Sequence, residues 1–389
     1  MLAESPKNHI SQLSIRRSDS QFLRWWLTID RWTLWSLCAL IVTGVILGFA
    51  ASPSVALRLK LDGYYFIKRH LLILCPAVLL MLGVSMLSPR SIRRLATFIY
   101  IGGIALLVLT LFMGVEIKGA RRWLSFSGFS IQASEFVKPA LSVLVAWMLA
   151  EKVRNRDFPG ISLVVVLAGV YLLLLLLQPD VGMSVVVVST WLGQLFIGGI
   201  PLLWVFVIGG LCLAGLGASY FFLPHVSARI DQFLGLGGAV DKTGELYQVT
   251  KSLSAFASGG LFGKGPGEGI IKKNIPDVHA DFVFAVAGEE FGLILCILLV
   301  ALFMVIIIRS LVRANRENSL FVVLAAAGLV IQFSLQAFIN MSSTLNLIPT
   351  KGMTLPFISY GGSSMLAVAI SMGMLLALTR QRQSMGDRL

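Results

Sequence analysis

Apolar and polar residues are arranged along the chain in long blocks, not in short amphipathic repeats. Apolar runs, each bounded by polar or charged residues, follow one another from residue 32 to residue 379. A helix needs about 20 apolar residues to cross the hydrocarbon core of a bilayer. The pattern therefore predicts ten membrane-spanning helices, at 32–51, 70–88, 95–115, 136–150, 161–178, 181–199, 202–222, 282–308, 320–341 and 357–379.

The polar segments divide the chain into three parts. Residues 1–31 are predicted to form a cytoplasmic N-terminal tail, 32–379 a ten-helix membrane domain, and 380–389 a cytoplasmic C-terminal tail. The one long polar segment between spans, 223–280, contains helix-like pieces, and long loops with their own structure are often functional. We expect it to be a large structured periplasmic loop between helices 7 and 8. The predicted fold class is an all-α polytopic integral membrane protein.

The composition excludes a soluble protein. Of 389 residues, 57% are hydrophobic and 13% are charged, against about 45–50% and about 25% in soluble domains. The four cysteines lie inside apolar runs without the spacing of a zinc site, which favours buried free thiols over disulfides or metal ligands.

The charge pattern predicts the orientation. The net charge is +13, which by itself would also suit a nucleic-acid-binding protein. Cytoplasmic loops of membrane proteins, however, collect Lys and Arg. If the N-terminus is cytoplasmic, the cytoplasmic pieces hold 17 of the 32 basic residues but only 7 of the 19 acidic ones. We therefore expect both termini in the cytoplasm and no nucleic-acid partner.

Basic residues also gather in two of the predicted outer loops, where short loops usually avoid them. Lys118, Arg121 and Arg122 lie in the second outer loop, and Lys251 and Lys264 in the long one. Anchoring to lipid headgroups is one explanation. An anionic ligand is the other, and the motifs nearby favour it.

The glycine-rich stretch 258–269 resembles a nucleotide-binding loop only superficially. A P-loop has four residues between Gly and Gly-Lys, followed by Ser or Thr, whereas here three residues intervene and Gly265 follows Lys264. These glycines either bring backbone amides close to a phosphate group or allow tight turns.

Asp281 begins the eighth predicted span, beside His279. It either caps the helix or is a carboxylate held at the membrane–water boundary for chemistry. Eight residues of helix separate it from Glu289 by about 12 Å, which exceeds the roughly 5–9.5 Å between paired glycosidase acids. Glu289 and Glu290 are therefore expected to line the bundle interior.

Other polar groups occupy span boundaries. Glu135 and Lys138 share one helix face at i and i+3, as a structural ion pair or as part of a polar cavity with Asp281. Asp180 follows a proline and either ends a helix or contributes to the site. The outer turn 349–364, which includes Ser359, is rich in small and hydroxylated residues that favour close packing or a polar cavity.

Together these motifs resemble the SEDS family (shape, elongation, division and sporulation), over nearly all of the chain after residue 30. The chain departs from the family pattern at Ala280, where Thr is usual, and at Ala133, where Pro is usual. The amino-acid sequences of 275–277 and 288–292 resemble the cell-division branch of the family more than the elongation branch. The matching motifs are 118–123, 132–135 with Lys138, 178–180, 247–248, 258–260, 263–265, 276–291 and 355–364.

The resemblance implies a peptidoglycan glycosyltransferase that polymerises the lipid-linked precursor lipid II on the outer face of the bacterial inner membrane, at the division septum. It implies a class B penicillin-binding protein of the FtsI type as partner, and divisome membrane proteins of the FtsQ, FtsL, FtsB and FtsN types. An elongation-type polymerase, a lipid II flippase and a division scaffold are the alternatives; the flippase would use charges such as Glu135, Asp180 and Glu289.

The chemistry that this resemblance implies assigns roles to the candidate residues. Asp281 is the expected general base for the acceptor hydroxyl. Charge on the leaving diphosphate is expected to be neutralised by basic residues, or by a divalent cation such as Mg or Mn whose ligands the sequence leaves unknown. The expected substrate-binding residues are Lys118, Arg121, Arg122, Glu135, Lys138, Asp180, Lys251, Lys264, His279 and Ser359.

Overall fold

The computed structural model describes residues 21–117, 120–126, 129–222, 224–234 and 245–381. Over these residues the chain is mostly helical, as the apolar runs predict. The helices are α1 Gln21–Thr28, α2 Arg31–Arg58, α3 Tyr65–Ser85, α4 Pro89–Met113, α5 Ala133–Arg154, α6 Gly160–Leu177, α7 Val181–Ile197, α8 Leu202–Phe222, α9 Pro224–Phe233, α10 Glu245–Gly259, α11 Val283–Ala314, α12 Leu320–Thr344 and α13 Gly362–Leu378.

Eight of the described helices are long and apolar enough to cross a membrane: α2, α3, α4, α5, α6, α8, α11 and α12. Two more, α7 and α13, are apolar but shorter. Each predicted span overlaps one of these helices. The protein is thus a helical multi-pass membrane protein, and the number of crossings stays a prediction.

The bundle is built around α5, whose apolar window is 78% buried. Helices α4, α6, α7, α12 and α13 all pack against it. By contrast, α8 packs mainly on its chain neighbours α7 and α9, and none of its apolar window is buried. A short antiparallel sheet, β1 Val115–Ile117, β2 Ala120–Phe126 and β3 Phe129–Ile131, lies between α4 and α5.

The predicted N-terminal tail contains structure. Helix α1 lies within it, and Trp25 of α1 is buried and donates from Nε1 to the hydroxyl of Ser85 at 2.9 Å. The C-terminal end meets the same place, because the backbone N–H of Gln381 donates to the carbonyl of Thr28 at 3.1 Å. The first described helix, α1, is therefore tied to the bundle before the first predicted span begins at residue 32.

The segment before α13 is buried but not helical. The predicted tenth span begins at residue 357, whereas the helix begins at Gly362. Phe357 is 2% exposed and has a φ of +62°. Its carbonyl packs directly on Gly44 of α2, where any β-carbon would overlap it. Irregular backbone at this depth is tolerated because it is surrounded by protein.

Candidate functional site

Asp281 lies in the turn immediately before α11 and is half-buried. The N-cap of α11 is Phe282, so Asp281 does not cap the helix. Its backbone carbonyl accepts a bond from Nδ2 of Asn340 at 2.9 Å. Its carboxylate lies against Gly352, where a β-carbon would be only 2.9 Å from Oδ2. The position of the carboxylate therefore depends on a glycine at 352.

The carboxylate of Asp180 is almost fully buried between two cations. Nζ of Lys351 binds its Oδ1, and Nη1 of Arg122 lies 3.9 Å from the same oxygen. Arg122 also donates to the backbone carbonyls of the two residues that precede Asp180. Asp180 caps α7 as well, accepting from the backbone N–H of Met183 at 3.2 Å. Asp180 therefore lies at a helix boundary, as the sequence suggested, but it begins α7 instead of ending the helix before it; its role in the site stays a prediction.

This cluster carries excess positive charge. Burial raises the pKa of Asp180, but the charges of Lys351 and Arg122 outweigh burial, so the pKa lies below its ordinary value. Burial lowers the pKa of Lys351 against the attraction of Asp180, and Arg229 of α9 lowers it further by repulsion. Two cations bind one carboxylate, and a third lies nearby.

Residues 351–354 connect this cluster to the other charged groups. Lys351 reaches Asp180, and Gly352 abuts Asp281. The carbonyl of Met353 accepts from Nδ2 of Asn340 at 2.6 Å. The carbonyl of Thr354 accepts from Nε2 of Gln336 at 3.1 Å, one turn earlier on α12. Residues 351–354 thus contact Asp180 through Lys351 and Asp281 through Gly352. Through Met353 and Thr354 they also bind the two amides of α12.

Glu135 and Lys138 form the predicted i, i+3 ion pair, with 2.8 Å between Oε2 and Nζ. Their side chains are 9% and 2% exposed, so both lie inside the protein and neither faces lipid. Nζ of Lys138 also donates to Oε1 of Gln336 at 3.2 Å. Through Gln336 and Asn340, both on α12, the pair is connected to Asp281.

His279 packs in an aromatic cluster beside Asp281. Its ring centroid lies 4.3 Å from that of Phe66 and 5.4 Å from that of Tyr360. The backbone N–H of Tyr360 donates to the His279 carbonyl at 2.9 Å. Burial lowers the pKa of His279, with Asp277 opposing the shift, so the imidazole is neutral at pH 7.

Glu289 and Glu290 line the bundle interior, as expected, and both are engaged. Glu289 accepts from the backbone N–H groups of Ile271 and Lys272 at 2.7 and 2.8 Å. Glu290 binds the ammonium of Lys272. These carboxylates fix the end of the long loop onto α11, and they do not pair with Asp281.

The glycine-rich stretch inserts into a break in α11. Gly292 interrupts the helix with φ +76° and ψ −173°. The backbone N–H groups of Lys264 and Gly265 donate to the freed carbonyls of Glu289 and Glu290, each at 3.0 Å. Of the two interpretations of these glycines, the structure shows close backbone packing and tight turns.

The remaining predicted residues lie in several places. Arg121 is exposed and pairs with Glu116 at 3.4 Å. Lys251 lies over the ring of Tyr247 on α10. Lys264 is exposed at the opposite end of the 283–291 half-helix from Asp281. The hydroxyl of Ser359 is buried and accepts from the backbone N–H of Leu355. Lys118 lies outside the described residues.

Sequence analysis did not single out Lys351, Arg229, Gln336 or Asn340. Lys351 carried the clearest signal, since it is a lysine in an outer turn next to an otherwise small and apolar stretch. Gln336 and Asn340 are amides one turn apart in an apolar span, a spacing that places both on one helix face.

Known proteins are similar to this chain over nearly its whole length. The sequence profile of the cell cycle protein family FTSW_RODA_SPOVE matches residues 31–384. A protein of Caulobacter vibrioides named "Probable peptidoglycan glycosyltransferase FtsW" is 47% identical over 92% of this chain and 91% of its own. A protein of the same name from Geobacter metallireducens is 34% identical over 87% and 91%.

Solved structures are similar over the same extent. A chain from a structure described as "Structural coordination of polymerization and crosslinking by a peptidoglycan synthase complex" has a TM-score of 0.75 and 27% identity, over 91% of this chain and 98% of that one. The rod shape determining protein RodA of Thermus thermophilus has a TM-score of 0.63 and 27% identity, over 91% and 97%. The chain belongs to the SEDS family of cell cycle proteins.

Proposed function

We propose that the protein is a peptidoglycan glycosyltransferase of the FtsW type, which polymerises lipid II into glycan strands during septal cell-wall synthesis. The names of its curated relatives and their coverage of the chain support this activity. The observation that carries the proposal is the meeting of Asp281 with the Asp180 cluster through residues 351–354. A base and a cationic surface are what transfer from a lipid diphosphate requires.

In the proposed reaction, the acceptor hydroxyl attacks the anomeric carbon of the donor sugar and the lipid diphosphate leaves. Asp281 accepts the proton of the hydroxyl as general base, and the configuration at the sugar carbon inverts. The negative charge of the leaving diphosphate must be stabilised, but the diphosphate does not need to receive a proton. Arg122 and Lys351, whose combined charge exceeds that of Asp180, are suited to this role.

The other predicted contacts have unequal support. Lys138 bonds Gln336, and Asn340, one turn further along α12, bonds the backbone carbonyl of Asp281, so we propose a positioning role for Glu135 and Lys138. His279 is neutral and packed, which suits shaping the pocket wall beside the base. Direct substrate contact by Lys118, Arg121, Lys251, Lys264 and Ser359 stays a prediction.

A divalent cation at the diphosphate also stays a prediction. Among the described residues, no three His, Cys, Asp or Glu side chains lie together as metal ligands. A cation would therefore be held largely by the diphosphate itself. Polymerisation measured across Mg and Mn concentrations, after chelation, tests whether one is needed.

The proposed setting is the bacterial inner membrane at the division septum, with both termini cytoplasmic. The similar chain from a peptidoglycan synthase complex supports a class B penicillin-binding protein as partner. Divisome proteins of the FtsQ, FtsL, FtsB and FtsN types are proposed as further partners. An elongation role of the RodA type is the nearest alternative.

The test is to purify the protein with its class B penicillin-binding protein and supply lipid II in liposomes. We expect glycan strands on a denaturing gel when lipid II faces the predicted outer loops. Translocation of labelled lipid II across the bilayer without strands would instead identify a flippase and overturn the proposal.

A further inference from the structure

Two large apolar side chains stand exposed at a turn of the long loop. Leu261 is 60% exposed and Phe262 is 79% exposed. They follow directly on α10 and are bordered by glycines and by Lys264. Single exposed apolar residues are common on proteins, so their location relative to the bilayer decides what they mean.

Backbone bonds fix this turn against α11. The N–H groups of Leu293 and Ile294 donate to the carbonyls of Gly260 and Leu261, at 3.0 and 3.3 Å. A β-carbon at Gly292 would overlap the carbonyl of Leu261. With the bonds of Lys264 and Gly265 on the other side of the break, the turn is clamped from both directions.

Helix geometry gives the depth of the turn. At the predicted inner side, Arg313 binds Asp30 at 3.0 Å. From Arg313 to Leu293 the continuous part of α11 rises about 30 Å, which is the thickness of the hydrocarbon core. With Arg313 at the inner boundary, an upright α11 brings Gly292 and the turn to the outer boundary, about ten residues inside the start of the predicted span at 282.

The turn also lies next to an exposed apolar surface of α11 that faces the lipid. Leu293, Ile294 and Ile297 are 49%, 52% and 59% exposed on the part of α11 that continues from the turn. We propose that Leu261 and Phe262 insert into the outer leaflet of the bilayer, with the exposed ammonium of Lys264 at the level of the lipid phosphates, as long basic side chains do at interfaces.

This insertion would fix the distance between the candidate site and the outer leaflet. The turn holds one end of the 283–291 half-helix at the hydrocarbon boundary, and Asp281 lies at the other end. The length of that half-helix separates the turn from Asp281 by roughly 12–15 Å. A loop anchored in the leaflet keeps that distance constant while lipid-linked molecules move past it.

The depth can be measured with spin labels in the full chain. The four native cysteines are replaced by alanine, and single cysteines are introduced by Phe262→Cys, Lys264→Cys, Glu268→Cys or Ile297→Cys. Each labelled protein is placed in nanodiscs of phosphatidylethanolamine and phosphatidylglycerol. Collisions with oxygen, which concentrates in acyl chains, are compared with collisions with a water-soluble nickel chelate. Size-exclusion profiles matching the parent show that each variant is folded.

The expected order of the oxygen-to-nickel ratio is 297 highest, then 262, then 264, with 268 lowest. Ile297 serves as the lipid-facing reference, and Glu268 as a matched exposed position in the same loop. A nickel accessibility at 262 equal to that at 268 would overturn the proposal. So would a label at 262 that is water-accessible alone and shielded only after the penicillin-binding protein is added, because the turn would then be a protein-binding surface.

Discussion

Asp180 shows how one buried residue can join fold and site. It caps α7 and also holds Arg122 and Lys351. Burying a carboxylate is costly unless opposite charges and hydrogen bonds compensate. Both cations therefore stabilise the buried carboxylate at the start of α7.

Lys351→Met removes the ammonium and keeps the chain length. Of its cationic partners among the described residues, Asp180 then keeps Arg122, and we expect a loss of about 1–3 kcal/mol in the free energy of unfolding. The matched control is Lys68→Met, which breaks an exposed pair with Asp62 worth about 0–1 kcal/mol. Thermal unfolding in detergent measures both. Equal shifts for the two variants would contradict the structural role of Lys351.

The same pair predicts a pH dependence. The folded-state pKa of Asp180 lies below its unfolded value, so its stabilisation is present above the ordinary pKa of about 3.9. It is lost as the pH falls through the folded value. In Lys351→Met the folded pKa rises toward or above the unfolded value, so the loss of stability that this carboxylate causes on acidification should shrink or reverse relative to the parent. Thermal unfolding midpoints of the parent and of Lys351→Met that fall in parallel from pH 7 to pH 3 would contradict this expectation.

Gly352→Ala tests the contact with Asp281. The new methyl group would lie 2.9 Å from Oδ2, so the carboxylate must move. Since a displacement of about 1 Å can cost 10²-fold in rate, we expect a loss of that order in lipid II polymerisation, with a normal yield of folded protein. Gly102→Ala, which has no atom within 4 Å of the new carbon, is the control. Parent-like rates for both would show that Gly352 does not position the base.

The sequence indicated Asp281 and the Glu135–Lys138 pair, but not the pairing of Asp180 with Lys351. Asp281, Glu135 and Lys138 stand out because charge is rare in apolar runs. Lys351 did not, because its partner Asp180 is 171 positions away along the chain. No local spacing links the two residues, so only the packing of the bundle shows that they meet.

At the scale of elements, hydropathy located the helices and missed the backbone breaks. The predicted spans overlap the observed helices because apolar length is what a bilayer selects. Residues 357–361 belong to the tenth predicted span, yet they form an irregular segment that is buried at 357–359. Gly292 is likewise invisible to hydropathy, since its effect depends on a positive φ and on a loop that fills the gap.

Gly292→Ala tests the break. A left-handed φ costs a non-glycine residue about 1–3 kcal/mol, and the methyl group would also meet the Leu261 carbonyl. We expect a lower thermal midpoint and faster hydrogen exchange at the amides of Lys264 and Gly265, which bind the freed carbonyls. The control is Gly169→Ala, on a span with open space around it. An unchanged hydrogen-exchange rate at the amides of Lys264 and Gly265 would contradict the packing of the glycine-rich stretch into the break in α11.

At the scale of the whole molecule, the orientation rests on charge asymmetry. In a background without native cysteines, Glu268→Cys should react with a membrane-impermeant thiol reagent added outside the inner membrane. Arg154→Cys, at the end of α5, should react only after the membrane is opened. Both positions are exposed in the structure. Labelling with the reverse pattern would invert the topology and every outer-face assignment.

Asp281 is the proposed general base of the glycan polymerase. The most direct measurement is lipid II polymerisation by Asp281→Asn in complex with the class B penicillin-binding protein. Asn keeps the size of the side chain but removes its basicity, and the backbone bond to Asn340 is unaffected. Asp277→Asn makes the same change at an exposed position four residues earlier, where φ is +50° and Asn is well tolerated.

We expect Asp281→Asn to purify with its partner and to lose at least about 10²–10⁴-fold in rate, so that lipid II remains unconsumed. Asp277→Asn should polymerise at close to the parent rate. An Asp281→Asn complex that assembles normally and still makes glycan strands at the parent rate would contradict the mechanism.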